Sequence, residues 1–230
     1  MAGQQDSPDS AADDLGALVI GILGGTGDQG RGLARRLAMA GSRVIIGSRD
    51  GARAVAAAAS IGSPPQLTGA ANADAAGDAD VVIAAMPWAG HRELLASLAG
   101  ALEGKILIDC VNPLGFDARG AYPLPVAEGS AAQQAAAVLP GSRVVGAFHH
   151  VSAVLLLDPE VAEVGQDVLV LGDDRQATDL VQALASRIPG MRGVYAGRLR
   201  NCGQVEALTA NLVSVNRRYK AHAGLRITDI

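Results

Sequence analysis

The chain has 230 residues, 49% of them hydrophobic, and a formal net charge of -4 from 19 Lys+Arg against 23 Asp+Glu. That length and apolar content suit one or two domains with a full core and exclude disorder throughout. There is no basic run to follow a nucleic-acid backbone, and no apolar stretch reaches the roughly 18 residues of a membrane span, so neither partner is expected.

Residues 1–16 include Gln4, Gln5, Asp6, Ser7, Pro8, Asp9, Asp13 and Asp14, with no charged stretch followed by an apolar one. They read as a disordered tail rather than a secretory signal. From Leu18 onward, short apolar runs alternate with Ala-rich segments of helical length, the pattern of repeated βα units. Strands are expected at 18–23, 43–46, 66–68, 81–85, 106–110 and 144–148. Helices are expected at 31–40, 51–60, 91–98 and 131–139, the last opened by Ser130 with Gln133 at capping-box spacing. Aromatic residues at 3% and 29 glycines fit parallel strands covered by closely packed helices. After Phe148 the rhythm changes: strands at 168–171 and 193–195 flank a helix at 176–187, and a longer helix follows at 205–216. Its Val205, Leu208, Leu212 and Val215 share one face, to be buried against its own domain or against a second subunit. The fold class is α/β: a doubly wound parallel sheet over 17–148, with a smaller C-terminal α/β-helical domain over 149–230. Cys110 and Cys202 lack metal or redox spacing and read as buried small hydrophobes in a reducing, cytoplasmic setting.

Gly25-Thr26-Gly27-Asp28-Gln29-Gly30 lies directly after the first strand and directly before a helix, the context that gives a GxGxxG pattern its meaning. Gly25 permits the tight turn, Gly27 lets a pyrophosphate approach the backbone, and Gly30 allows the helix to pack on the sheet. The helix N-terminus offers free N–H groups to the phosphates. The second strand runs into Gly47-Ser48-Arg49, where an NAD enzyme usually places a carboxylate for the ribose hydroxyls. A hydroxyl and a guanidinium suit a phosphate instead, and Arg53 adds a second charge one turn on, so the dinucleotide is read as NADP. The alternative is that both arginines are solvated and Asp50 holds an NAD ribose.

Open α/β sheets bind ligands beyond the carboxyl ends of their strands. Met86-Pro87-Trp88 ends the fourth strand, and Trp88 either walls a nicotinamide site or wedges under a loop. Asn112-Pro113-Leu114 follows the fifth, with Asn112 held extended by the proline after it. His149-His150-Val151-Ser152-Ala153 follows the sixth. Adjacent side chains in extended backbone point apart, so the two histidines read as cofactor contacts or structural residues and not as a metal site. There is no nucleophile elbow, Walker lysine, or Lys–Tyr proton-delivering dyad.

Taken together, Gly24 through Ala34, Gly47-Ser48-Arg49, Pro87-Trp88, Asn112 through Asp117, Phe148-His149-His150 and Glu206-Ala207-Leu208-Thr209 resemble the coenzyme F-420-dependent NADP reductases, NADPH:deazaflavin oxidoreductases, of actinobacterial type. The resemblance covers nearly the whole chain after the tail. It departs at His150-Val151-Ser152, where archaeal members carry Thr, a hydrophobe and Pro. It implies a Rossmann-like NADP domain, a C-terminal domain closing a deazaflavin cleft, a homodimer, and reversible hydride transfer between NADPH and F-420. It also implies no acid–base catalyst, with His149, His150 and Val151 positioning the ring and Ser152 and Ala153 beside the cofactors. The acidic tail of F-420 would then meet basic residues among Arg198, Arg200, Arg217, Arg218, Lys220 and Arg226. The rival readings are an NADP-dependent imine, ketone or hydroxyacid reductase with His150 as general acid, and a non-catalytic NADP-sensing protein.

Overall fold

The central strands carry Val, Ile and Leu without polar alternation because helices cover both faces of the sheet. In the computed structural model, which describes Leu15, residues 17–62 and residues 64–230, these are β1 (Val19–Leu23), β4 (Val81–Ala84) and β5 (Ile106–Asp109), nearly all buried. Apart from Leu15, the expected tail at 1–16 lies outside the described residues. β1 leads through α1 (Asp28–Met39) to β2 (Arg43–Ser48), and α2 (Gly51–Ala59) leads to β3 (Leu67–Ala71). α3 (Asn72–Asp78) precedes β4, and α4 (His91–Ser97) with α5 (Ala99–Leu102) precedes β5. A hairpin of β6 (Leu114–Asp117) and β7 (Gly120–Pro123) then stands apart from the main sheet, before α6 (Ala131–Val138) and β8 (Arg143–Gly146). The parallel part of the sheet has the order β3-β2-β1-β4-β5-β8, the doubly wound arrangement with its switch point between β1 and β4.

The chain continues with α7 (Ala153–Leu157), β9 (Asp167–Gly172), α8 (Arg175–Ser186), β10 (Arg192–Gly197) and α9 (Cys202–Tyr219). β9 pairs antiparallel with β8, through Val145 opposite Gly172 and Gly146 opposite Leu171, and β10 pairs parallel with β9. The expected boundary at 148–149 therefore falls inside one continuous sheet of eight strands. Because β9 and β10 run in the opposite sense, their first residues, not their last, lie at the end of the sheet where β1, β4, β5 and β8 finish. One apolar core joins α1, α2, α7 and α8 to one face, and a second joins α3, α4, α5, α6 and the start of α9 to the other.

Among the described residues α3, α5, α7 and the β6–β7 hairpin were not expected. α3 and α7 are too short for helical periodicity to show, and the hairpin turns on Asp117, whose carboxylate accepts from Arg119 N and Gly120 N. Ser130 caps α6 as its spacing predicts, its Oγ accepting from Gln133 N at 3.0 Å. α1 holds the most telling contact. Arg36 is buried to 2% exposure and donates to the carbonyls of Leu156 (2.8 Å), Leu155 (2.7 Å) and Asp158 (3.1 Å), a cation closing the C-terminus of α7. Beside it Gly32 lets Leu156 approach; a Cβ there would stand 2.6 Å from the Leu156 Cβ.

Arg36→Ala leaves these carbonyls without their buried donor and opens a void between α1 and α7. It is expected to lower unfolding free energy by about 2–4 kcal/mol, read as a reduced urea midpoint at unchanged m-value. An unchanged midpoint would show that α7 is closed by other contacts.

Candidate functional site

Two glycines bring α1 against β1. A Cβ on Gly25 would stand 2.7 Å from the Ile22 carbonyl oxygen, and one on Gly30 would stand 2.5 Å from the Gly25 Cα. Gly27 is different: a Cβ there would meet nothing within 4 Å. Its backbone faces open space and caps α1 with no side-chain acceptor, so the first-turn N–H groups have no side-chain cap and are available to an anion. α1 begins at Asp28, three residues ahead of the expected 31, which brings its N-terminus up to the loop. Asn72, absent from the sequence reading, accepts from Gly24 N at 3.1 Å and ties the loop to α3.

A cavity of about 810 Å³ runs from this loop past Ser48, Arg49, Asp50 and Arg53 on one side and Met86, Pro87 and Gly90 on the other. Arg49 and Arg53 are exposed on its wall. Asp50 caps α2, accepting from Ala52 N at 2.9 Å and Arg53 N at 3.4 Å, and Ser48 Oγ accepts from Asp50 N at 3.3 Å. Both capping bonds fall on Oδ1 of this exposed carboxylate, which also lines the cavity.

A second cavity of about 260 Å³ adjoins the first, and Gln29, Ala85, Met86 and Pro87 line both. Its other walls include Trp88, Asn112, His149, Val151 and Thr209. The Trp88 ring lies 5.4 Å from that of His91. Below it the backbone turns sharply: Phe148, fully buried, has φ of 63°, a left-handed conformation costly for a bulky residue. The turn is held by hydrogen bonds to its carbonyls. Gln29 Nε2 donates to Phe148 O (3.2 Å), while Asn112 Nδ2 (2.7 Å) and Thr209 Oγ1 (3.1 Å) both donate to His149 O.

The two histidine rings part, although the backbone that carries them is a turn and not the expected extended segment. His150 is turned out of the cleft, its Nε2 on the Asp167 carbonyl at 2.8 Å, because β9 starts beside the end of β8. It lines neither cavity, so its expected place against the ring is corrected. The His149 ring is buried beside Glu206, its Nε2 4.0 Å from Oε1, and burial lowers its pKa to about 4. It is a neutral group at physiological pH. Pro113 and Leu114 lead into β6, while Ser152 and Ala153 start α7, and none of the four lines either cavity. Arg198 bonds Asp173 at the far end of β9, opposite the cleft, and so leaves the group of basic residues expected near it. Cys110 and Cys202 are buried free thiols, and burial pushes both up in pKa.

Behind Trp88, His91 Nε2 meets Asp109 Oδ2 at 2.7 Å and its Nδ1 meets Gln134 Oε1 at 3.1 Å. Burial pulls the His91 pKa down, but the Asp109 carboxylate outweighs it and the net direction is up. Glu206 accepts from Ala131 N (2.9 Å) and Ala132 N (3.2 Å) at the start of α6; burial raises its pKa to about 7, against the pull of those two N–H groups. Asn72, Glu206 and the site role of Thr209 escaped a reading based on strand ends, since each acts from a helix that only folding brings to the loop.

The fold and cleft define a dinucleotide-binding α/β protein with a second pocket at the end of the first. The family model described as NADP oxidoreductase, coenzyme F-420-dependent, matches residues 19–113. The chain is 41% identical to the F-420-dependent NADP reductase of Methanothermobacter marburgensis, over 93% of this chain and 99% of that one. It is 38% identical to the protein of the same name from Methanocaldococcus jannaschii, over 93% and 99%. A crystal structure of a candidate F-420-dependent NADP reductase from Arthrobacter sp. FB24 superposes with a TM-score of 0.80 at 28% identity, over 93% of this chain and 100% of that one. The chain belongs to the F-420-dependent NADP reductase family.

Glu206 predicts a signed pH effect. Its pKa rises from 4.5 to about 7 on folding, so the folded state holds a proton that the unfolded state gives up, and stability drawn from it falls as pH rises through that window. The stability of wild type relative to Glu206→Gln should drop by roughly 3 kcal/mol between pH 4.5 and 7 and then level off, measured by urea titration at each pH. A pH-independent difference would show that Glu206 is ionised throughout.

Proposed function

We propose that this chain transfers hydride between NADPH and coenzyme F-420, as the names of its relatives describe for them. The carrying observation is the pair of adjoining cavities that share Gln29, Ala85, Met86 and Pro87. Two elongated ligands entering from the two sides would meet there at their reactive ends. Gly25, Gly27 and Gly30, with Thr26, Asp28 and Gln29, form the pyrophosphate cradle, and the open space over Gly27 is what a phosphate requires. Ser48, Arg49 and Arg53 would hold the 2′-phosphate.

With both cosubstrates bound, a hydride passes from carbon 4 of NADPH to carbon 5 of the deazaflavin, and one proton from water completes the reduced deazaflavin. The protein's part is orientation, which by itself contributes several kcal/mol of barrier lowering. Met86 and Val151, both buried, with Trp88 present an apolar wall to the junction and keep water from it. Asn112 and Thr209 fix the floor through the His149 carbonyl. Burial holds the His149 ring neutral and the His150 Nε2 is engaged by the Asp167 carbonyl, so this reading gives neither a general-acid role.

The functional division at 148 is retained within this reading: the cradle belongs to residues 17–148, and Thr209 on α9 closes the ring pocket from beyond it. The same reading includes a homodimer. It is supported by Tyr219 and Val215 exposed on α9, and by Phe116 and Tyr122 exposed on the hairpin whose β7 packs against that helix. Among the described residues no helix is long and apolar enough to cross a membrane.

Mixing the protein with NADPH and oxidised F-420 should bleach the deazaflavin absorbance, and an inert mixture would overturn the assignment. Arg49→Ala removes a charge-assisted phosphate contact worth roughly 1.5–3 kcal/mol and should weaken NADPH about tenfold or more while leaving NADH nearly unchanged. Equal losses for both would remove the 2′-phosphate from this site. Sedimentation velocity should give twice the 23.2 kDa chain mass, and Phe116→Asp with Tyr219→Asp should halve it; a monomeric wild type refutes the dimer.

A further inference from the structure

The phosphate loop and the ring pocket share a single side chain that also bonds the strained turn between them. Gln29 is the second residue of α1, so its backbone belongs to the uncapped first turn. Its side chain lines both cavities, and its Nε2 reaches 119 residues along the chain to the Phe148 carbonyl. That carbonyl also receives the Val151 N–H at 3.4 Å, a stretched contact, so the amide of Gln29 is its closer partner. A left-handed bulky residue persists only where surrounding contacts over-determine it. Three side-chain donors do so here: Asn112 after β5, Thr209 on α9 and Gln29 on α1. Of the three, Gln29 is the one carried by the phosphate loop.

We propose that Gln29 is a positioning residue that couples the two sites, so that filling the phosphate loop fixes its amide on the Phe148 carbonyl and pre-forms the floor of the ring pocket. The proposal rests on the reading of the two cavities as NADP and F-420 sites. An anion bound to the first-turn N–H groups restrains the start of α1, and the restrained amide holds the 148–151 turn in the shape that receives the ring. By linkage the effect is reciprocal: F-420 tightens the dinucleotide by the same factor. A ligand that never reaches the ring pocket should therefore improve binding there.

The probe is 2′-phospho-ADP-ribose, which carries the pyrophosphate and the 2′-phosphate but no nicotinamide, so any effect on F-420 must pass through the protein. F-420 affinity is titrated on the full chain by deazaflavin fluorescence, with and without saturating probe. Wild type should bind F-420 at least fivefold more tightly with the probe present. In Gln29→Met, which keeps the length without a donor, and in Gln29→Ala, the two constants should agree within twofold. Thr209→Val should weaken F-420 in both conditions and keep the wild-type ratio, which separates coupling from general loss of the floor. The probe's own affinity, measured with and without F-420 in each protein, must give the same ratios. A wild-type ratio near one, or a full ratio surviving in either Gln29 variant, overturns the coupling while F-420 binding still stands. Failure of wild type to bind F-420 under either condition overturns the assignment of the second cavity, and the coupling with it.

Discussion

Between β1 and α1 the backbone must reverse while strand and helix stay close enough to share a core, and while the helix keeps its first N–H groups pointing outward. Only missing side chains allow both. Gly25 and Gly30 are in contact at the crossing, and Gly27 looks into empty space. The rest of the site is arranged around that approach: β2 delivers Ser48 and Arg49 to one side, β4 delivers Met86 to the other, and Gly24 is tied across to Asn72. A side chain at any of these glycines would push the helix off the sheet or fill the space over the loop.

The second constraint is the change of direction after β8. A seventh parallel strand would have carried the chain to the far end of the sheet. β9 instead pairs antiparallel, so the chain stays at the ligand end through the Phe148 turn, α7 and the start of β9. That placement gives the His150 ring a backbone acceptor on Asp167, and Asp167 in turn is held by Arg192 at 2.7 Å. Burial of Arg36 against the end of α7 fixes the segment that follows the turn. The strain at Phe148 is thus supported from both flanks, which is the condition for a strained residue to persist in a folded protein.

Electrostatically the site separates its charges. Arg49 and Arg53 are exposed at the outer end of the long cavity, where a doubly charged group can be met without a desolvation cost. The groups behind the inner pocket are buried in mutually compensating sets: His91 with Asp109 and Gln134, and Glu206 with the first N–H groups of α6. His149 is held neutral by burial. A pocket walled by Met86, Val151 and Trp88, and by a His149 held neutral by burial, suits a reaction between two carbon centres more than one that needs a proton delivered.

The sequence by itself determined the glycine loop between β1 and α1, the six parallel strands, the cap on α6 and the place of Ser48 and Arg49 at the end of β2, because each is encoded by neighbours: a periodicity, a turn chemistry, or a residue type at a strand end. It placed the two histidines just after the last parallel strand but read their backbone as extended, whereas both lie in the 148–151 turn. What it left undetermined was which way each ring turns. That depends on β9 lying beside the end of β8, a contact between segments whose apolar patterns are equally compatible with a separate domain. Thr209, Glu206 and Asn72 enter the site for the same reason: their partners are far away in the chain, and only the packing of α9 and α3 against the sheet brings a hydroxyl, a carboxylate and an amide to backbone groups that local sequence leaves unnamed. Short-range rules fix elements and their ends, while the hydrogen bonds that close the site are long-range and are decided by tertiary structure.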